Sequence, residues 1–269
     1  MEPGATDQPD LAATFRYPGV AEAYVHRPPY PAEVFDVLTR LITDRPRTVL
    51  DLGAGEGALA RPLARLVDQV DALDISAAMV AAGQRRPGGD RSNLRWIVGA
   101  AESAPLGGPY ALVTAGASLH WMSFARTLPR VAMSMTAGAS LAVIEHDPRD
   151  EPWLPGLVEV IRRHSRQQAY NADFSVVDEL AESGLWTETG RVRTAAVPFR
   201  QRVADYIERF HSTSSLAREL MPAEEAEAFD AALAGLVQPY ADGGELELTV
   251  VADIAWGRIT SQDAPVHDR

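Results

Sequence analysis

The chain has no cysteine and no lysine. Without thiols there is no disulfide framework and no thiolate chemistry. Without lysine there is no Schiff base and no lysine acting as a base. All 25 basic residues are arginine, which, with the alanine-rich text, reads as the coding bias of a GC-rich bacterial genome. Positive surplus is missing too: the formal net charge is −12, which disfavours a nucleic-acid backbone or an anionic membrane as partner. No apolar run reaches membrane-spanning length, and Met1–Asp10 lacks the basic-then-apolar layout of a signal peptide. A cytoplasmic enzyme is the expectation. The six histidines are scattered and none has the spacing of a metal site. There is no internal repeat.

What remains is an ordinary globular composition, 46% hydrophobic and 23% charged over 269 residues, enough for one large α/β domain. Its centre is Val49-Leu-Asp-Leu-Gly-Ala-Gly-Glu-Gly-Ala-Leu-Ala60. An apolar strand runs into Gly53, Gly55 and Gly57 and then into a helix. Such a turn permits positive φ and exposes bare backbone, and the helix start offers unpaired N–H groups. Asp74 closes a second apolar strand about 20 residues on, where a ribose contact is expected. This opening binds a nucleoside.

Apolar runs predict strands at Thr48–Leu52, Val70–Asp74, Leu94–Val98, Ala111–Ala115 and Ser140–Glu145, with helices between them at Ala58–Leu66, Ala77–Gln84 and Ser123–Met135. Before them, Phe15 to Tyr30 mixes aromatics with polar groups and ends in Pro28-Pro29-Tyr30-Pro31, which excludes a helix interior. It is either a packed cap or a lid whose Tyr24 and Arg27 meet a ligand carboxylate. A helix follows over Ala32–Ile42. After His146 the prolines 148, 152 and 155 read as a linker, then helices at Leu157–Ala169, Val176–Glu182, Val203–His211 and Ala223–Val237. Strands are expected at Val192–Phe199 and Glu245–Trp256. Glu224, Glu225 and Glu227 read as a solvated helix face.

In combination these motifs resemble the class I S-adenosylmethionine-dependent methyltransferases, the small-molecule, type 11-like subgroup. Val49 to Gly57 resembles that family's first motif and Asp74 its ribose-binding acid. Gly99-Ala-Ala-Glu102 with Pro105-Leu106 resembles the adenine turn, and Ala111 to Ala115 continuing to Leu119-His120-Trp121 resembles the fourth strand and its exit. Tyr24 with Arg27-Pro-Pro-Tyr-Pro31 is similar to the opening segment of one subgroup. A nicotinamide site would want a further glycine in the helix; here that place falls in Ala58-Leu59-Ala60. The sequence departs from the family at Ala100, where an Asp is common.

The resemblance implies a Rossmann-like doubly wound sheet of seven strands, mostly parallel with an antiparallel closing strand, under a helical cover. It implies a flexible arm at 1–14, a cofactor-binding core with its lid at 15–147, cover and closing strands at 148–259, and a flexible tail at 260–269. S-adenosyl-L-methionine would be held by Tyr24, Arg27, Gly53, Ala54, Gly55, Asp74, Ile75, Ala101, Glu102, Ala115 and Gly116. His120 is the candidate base, with packing on the cofactor as the alternative. Asp51 either reaches the cofactor's amino end or fixes the turn. Trp121, His146 and Tyr170 are candidate substrate residues, and Tyr206 and His211 belong to the same variable part.

The expected activity is O-, N- or C-methylation of a small molecule, with bacterial specialised metabolism as the expected setting, by a monomer or homodimer without nucleic-acid or membrane partners. Two other classes stay open: an enzyme of this fold using the bound sulfonium for hydrolysis or cyclisation, and a non-catalytic binding protein.

Overall fold

Apolar strands that need cover on both faces alternate here with helices that supply it. A computed structural model describes residues 15, 17–149, 151–165 and 175–260. In chain order the elements are α1 (Pro18–Ala23), α2 (Ala32–Leu41), β1 (Thr48–Leu52), α3 (Ala60–Leu63), β2 (Gln69–Asp74), α4 (Ala77–Arg85), β3 (Leu94–Val98) and β4 (Tyr110–Gly116). There follow α5 (Phe124–Ala132), β5 (Met135–Arg149), α6 (Leu154–His164), α7 (Val176–Glu182), β6 (Trp186–Arg193), β7 (Val197–Arg202), α8 (Val203–Glu208), α9 (Ala223–Val237) and β8 (Glu245–Ile259). Among the described residues no helix is long and apolar enough to cross a membrane.

The sheet runs β3-β2-β1-β4-β5-β8-β6, and β7 pairs with β8. The first five strands are parallel; β8 is antiparallel to both β5 and β6. This is the mixed, doubly wound sheet that the sequence predicts, with eight strands among the described residues in place of seven. The extra one arises because Val192–Phe199, read as a single strand, is split into β6 and β7 by Thr194–Ala196. Most of β6 is Thr-Glu-Thr-Gly-Arg, alternately exposed and half-buried at the sheet's edge, so it carries no apolar run to read. β5 also outruns its expected end, so His146 and Pro148 lie within the strand, Pro148 opposite Val250.

Successive side chains of each strand feed opposite cores. Val49, Leu112, Ala142 and Ile144 join Val34, Val37 and Leu38 of α2 and Leu63 of α3 on one face. Leu50, Leu52, Val113, Leu141 and Val143 join Leu128 and Val131 of α5 and Val176 and Leu180 of α7 on the other.

The described residues fall into two compact units. One comprises Pro28–Glu151, Asn171–Phe199 and Leu248–Arg269 and holds this sheet; the other comprises Met1–Arg27, Pro152–Tyr170 and Arg200–Glu247. The second unit is mainly helical and is held by aromatic contacts. Trp153 Nε1 donates to the Tyr206 hydroxyl at 2.7 Å, and Phe210 meets both Tyr206 and Phe229 edge-on, with ring centroids 5.5 and 6.2 Å apart. The expected arm at 1–14, the tail from 261 onward and the end of the helix predicted to Ala169 lie outside the described residues.

Candidate functional site

The turn after β1 is left-handed at three glycines, with φ of 64° at Gly53, 56° at Gly55 and 80° at Gly57. A side chain is excluded by more than φ. A Cβ on Gly53 would lie 2.5 Å from the Ser118 Cβ, and one on Gly57 would lie 2.6 Å from the Trp96 ring. Gly57 therefore serves helix–strand packing, and Gly53 and Gly55 are the bare backbone at the strand end. The helix beyond is shorter than expected, Ala60–Leu63, and continues as irregular turns with Val67 N donating to Leu63 O.

Asp74 ties this turn to the end of β2. Its Oδ2 accepts from Gly55 N at 2.7 Å and its Oδ1 from Ser76 N at 2.7 Å. Burial pushes its carboxyl above the usual range, and the two N–H donors oppose that. A carboxylate has about four acceptor positions, so these two bonds orient the group and leave lone pairs for a ligand hydroxyl.

Register explains Asp51. It lies opposite Thr114 across the parallel β1–β4 pair, and the Thr114 hydroxyl donates to its Oδ1 at 2.7 Å. The Ala60 N–H also bonds it. Burial, with Asp74 as a secondary cause, pushes Asp51 up to about 7. In this geometry the group fixes the start of α3 from beneath.

The loop after β3 is clamped by Arg130, whose guanidinium donates to Ala101 O at 3.0 Å and Ala104 O at 2.9 Å. Glu102 Oε1 accepts from Ser123 N at 2.9 Å. Ile75 and Val98, at the ends of β2 and β3, remain 45% and 54% exposed. Two apolar side chains held in water at adjacent strand ends make a surface for a flat apolar ring. Val98 was not among the residues singled out from sequence, because it reads simply as the last apolar residue of its strand.

At the end of β4, Ala115 is buried and Gly116 partly exposed. Ala117 has φ of 49°, and Ser118 Oγ donates to Leu52 O at 2.5 Å, lashing this exit to β1. Ser118 too escaped the sequence reading, since a serine after a strand has no distinctive spacing. His120 and Trp121 follow on an exposed 3₁₀ turn, their rings 4.7 Å apart. His146 stacks on Tyr30 at 3.8 Å, and its Nε2 lies 2.8 Å from Pro28 O.

Gly53, Ala54, Gly55, Asp74, Ile75, Ala101, Glu102, Ala115, Gly116, His120, Trp121 and His146 thus belong to the sheet unit. Tyr24 and Arg27 belong to the helical unit. There Arg27 lies over the Tyr24 ring at 4.2 Å and donates from Nε to Ser212 Oγ at 2.8 Å and from Nη2 to Ser212 O at 3.2 Å. Tyr170 lies outside the described residues. No group of three or more His, Asp or Glu side chains placed so as to hold a metal ion occurs among the described residues. The helical unit has a cavity of about 410 Å³, lined by Glu22, Glu208 and Glu219 together with His26, His211 and Arg218.

Residues 49–138 match the family described as a methyltransferase domain. Over 98 residues the chain is 36% identical to an uncharacterized methyltransferase of Mycobacterium tuberculosis, covering 36% of this chain and 49% of that one. The match spans about half the length of such curated relatives. Among solved structures, the fold is similar to a putative type II methyltransferase from Anaeromyxobacter dehalogenans, with a TM-score of 0.60, 19% identity, and 86% of this chain and 96% of that one covered. It is also similar to a SAM-dependent methyltransferase from Geobacter sulfurreducens in complex with S-adenosyl-L-homocysteine, with a TM-score of 0.52, 19% identity and coverage of 90% and 96%.

Proposed function

We propose that the chain, whose residues 49–138 match a methyltransferase-domain family, transfers a methyl group from S-adenosyl-L-methionine to a small-molecule acceptor. The observation that carries this reading is Asp74. Its carboxylate is oriented by Gly55 N and Ser76 N at the end of β2, beside bare glycine backbone on one side and the exposed Ile75 and Val98 on the other. The residues fit the cofactor part by part. Gly53, Ala54 and Gly55 take the amino-acid portion, Asp74 the ribose hydroxyls, and Ile75, Val98 and the Ala101–Glu102 turn the adenine. The turn need not admit phosphates, in keeping with the missing further glycine.

Bound there, the cofactor supplies an electrophilic methyl group on a positively charged sulfur. The protein's work is then positioning, because an in-line displacement gains most from holding the acceptor's lone pair about 3 Å from the methyl carbon. Ser118 fixes the exit of β4 against β1. His120, on the exposed turn beyond, takes the acceptor's proton where that acceptor must lose one. A small acceptor suits a chain of net charge −12 without lysine.

Calorimetry with S-adenosyl-L-methionine and S-adenosyl-L-homocysteine tests the cofactor assignment. Both ligands bind the wild type, and Asp74→Ala weakens both by about 10- to 100-fold, the worth of hydrogen bonds to a charged group. Equal affinity in the variant removes the assignment. Incubation of candidate acceptors with methyl-labelled cofactor then tests the reaction: label in the product supports transfer, and turnover without label overturns it.

A further inference from the structure

We infer that Tyr30 faces the methyl-bearing sulfur and distinguishes the charged sulfonium from the neutral thioether left after transfer. The inference rests on the cofactor reading above and adds a residue to it. Ligands of an open parallel sheet bind where the strand order reverses, beyond the carboxyl ends of the strands. Here that place lies between β1 and β4, since β2 and β3 extend to one side of β1 and β5 lies beyond β4.

Gly116 is the last residue of β4, and its missing side chain has a specific cause. A Cβ there would overlap the Tyr30 hydroxyl and lie 2.8 Å from Leu59 Cδ1. The phenol oxygen therefore rests on the backbone of the β4 exit, at the crevice itself. The ring is held from two directions. Its own segment, Pro28-Pro29-Tyr30-Pro31, has φ fixed at three of four residues. His146 on β5 stacks on the ring at 3.8 Å with 32° between planes, and its Nε2 lies 2.8 Å from Pro28 O. Tyr30 also packs against the core shared with α2 and α3, yet stays partly exposed. The result is a phenol oxygen and an aromatic face fixed at the strand end where the reacting centre belongs.

Both features favour a cation over a neutral sulfur, the oxygen through its lone pairs and the ring through its quadrupole. A residue placed for packing alone would treat the two ligands alike.

The test compares dissociation constants for S-adenosyl-L-methionine and S-adenosyl-L-homocysteine in the wild type, Tyr30→Phe and Tyr30→Ala. Tyr30→Ala is expected to weaken the sulfonium by about 10-fold while changing the thioether by less than about 3-fold, and Tyr30→Phe should give a smaller shift of the same sign. Should Tyr30→Ala melt well below the wild type, Tyr30→Phe, which keeps the ring and removes only the hydroxyl, carries the comparison alone. Equal losses for the two ligands, or no loss for either, overturn the role of Tyr30 while leaving the cofactor assignment intact. A wild type that binds neither ligand overturns both.

Discussion

The carboxylates of the sheet unit and those of the helical unit do opposite things. Asp51, Asp71 and Asp74 are 1%, 0% and 8% exposed, and each is met by partners that strand register or a tight turn delivers. Asp71 lies opposite Arg95 across β2 and β3; it accepts from Arg95 Nε at 2.9 Å, Gln69 Nε2 at 2.9 Å and the Tyr110 hydroxyl at 2.6 Å. In the helical unit the pairs lie in water. Arg202 meets Asp205 at 2.7 Å with its side chain 70% exposed, and Arg200 meets Glu247 at 2.9 Å with both partners more than half exposed. Exposed pairs contribute about 0–1 kcal/mol, so that unit's stability must come from its aromatic core. The difference teaches where acids are expensive: Asp51, Asp71 and Asp74 are buried and bound by fixed partners, whereas exposed pairs, Arg193–Asp253 on the sheet included, decorate a surface.

The contrast breaks most visibly at Asp71. Burial raises its carboxyl, but Arg95, Tyr110 and Gln69 outweigh that and hold it below the usual range; in return Tyr110, itself buried, is pushed up to about 12. Asp71→Ala strands Tyr110 and half of Arg95, and is expected to destabilise the protein by about 3 kcal/mol in urea denaturation. A loss under about 1 kcal/mol would put Asp71 in the same class as the exposed pairs. Because its folded value is depressed, its contribution is present above the unfolded value near 3.8 and is lost as pH falls through the folded one.

The helical unit has its own exception. His211 is 2% exposed, with Nδ1 2.8 Å from Leu216 O and Nε2 2.8 Å from Asp230 Oδ1. His211→Ala should cost about 2 kcal/mol by the same measurement, through two lost buried bonds. An effect as small as that of an Arg202→Ala control would mean that the aromatic core alone carries the unit.

Asp51 sharpens the comparison through pH. Its folded value is raised from 3.8 to about 7, so the folded state holds the proton more tightly than the unfolded one. Its contribution to stability is full below about pH 4 and is lost as pH rises toward 7. Asp51→Asn removes this dependence, and denaturation at pH 5, 6 and 8 should give a flatter profile than the wild type. Asp74, also raised, leaves a residual slope of the same sign. An unchanged profile would show that Asp51 ionises freely in the fold.

What could be read from the chain follows the same division. β1 and β3 match their predicted bounds: β1 is buried along its whole length and reads as a mainly apolar run, and β3, at the sheet's edge and buried only at Leu94, still carries Leu94, Trp96, Ile97 and Val98 in sequence. α7 and α9 match as well, each periodic and clearly ended. Only the last two residues of β6 fall within a predicted strand, because its exposed face reads as polar text, and α3 is shorter than expected because turns continue its pattern without regular helix geometry. At the site, glycine spacing and Asp74 were legible, since backbone conformation restricts residue type there. The reasons behind Gly57 and Gly116 were not. They depend on Trp96 and Tyr30, which sequence places 39 and 86 residues away.

The smallest effect is also the most instructive, at Arg218. Its Nη2 donates to Glu208 Oε2 at 2.8 Å and to Asp230 Oδ2 at 2.9 Å, and Asp230 is the residue that also receives His211. Counting contacts would make Arg218 as important as Asp71. Its side chain is 40% exposed, however, and its partners are 35% and 29% exposed, so water and salt replace much of what it offers. Arg218→Met keeps the apolar stem and should cost less than about 1 kcal/mol, shrinking further in roughly 0.5 M salt, where the Debye length falls to about 4 Å. A double-mutant cycle with His211→Ala would show coupling below about 0.5 kcal/mol if Asp230 serves the two neighbours independently. Coupling above about 1 kcal/mol would make Arg218, Asp230 and His211 one network, and would bring into the helical unit the kind of acid that the sheet unit uses.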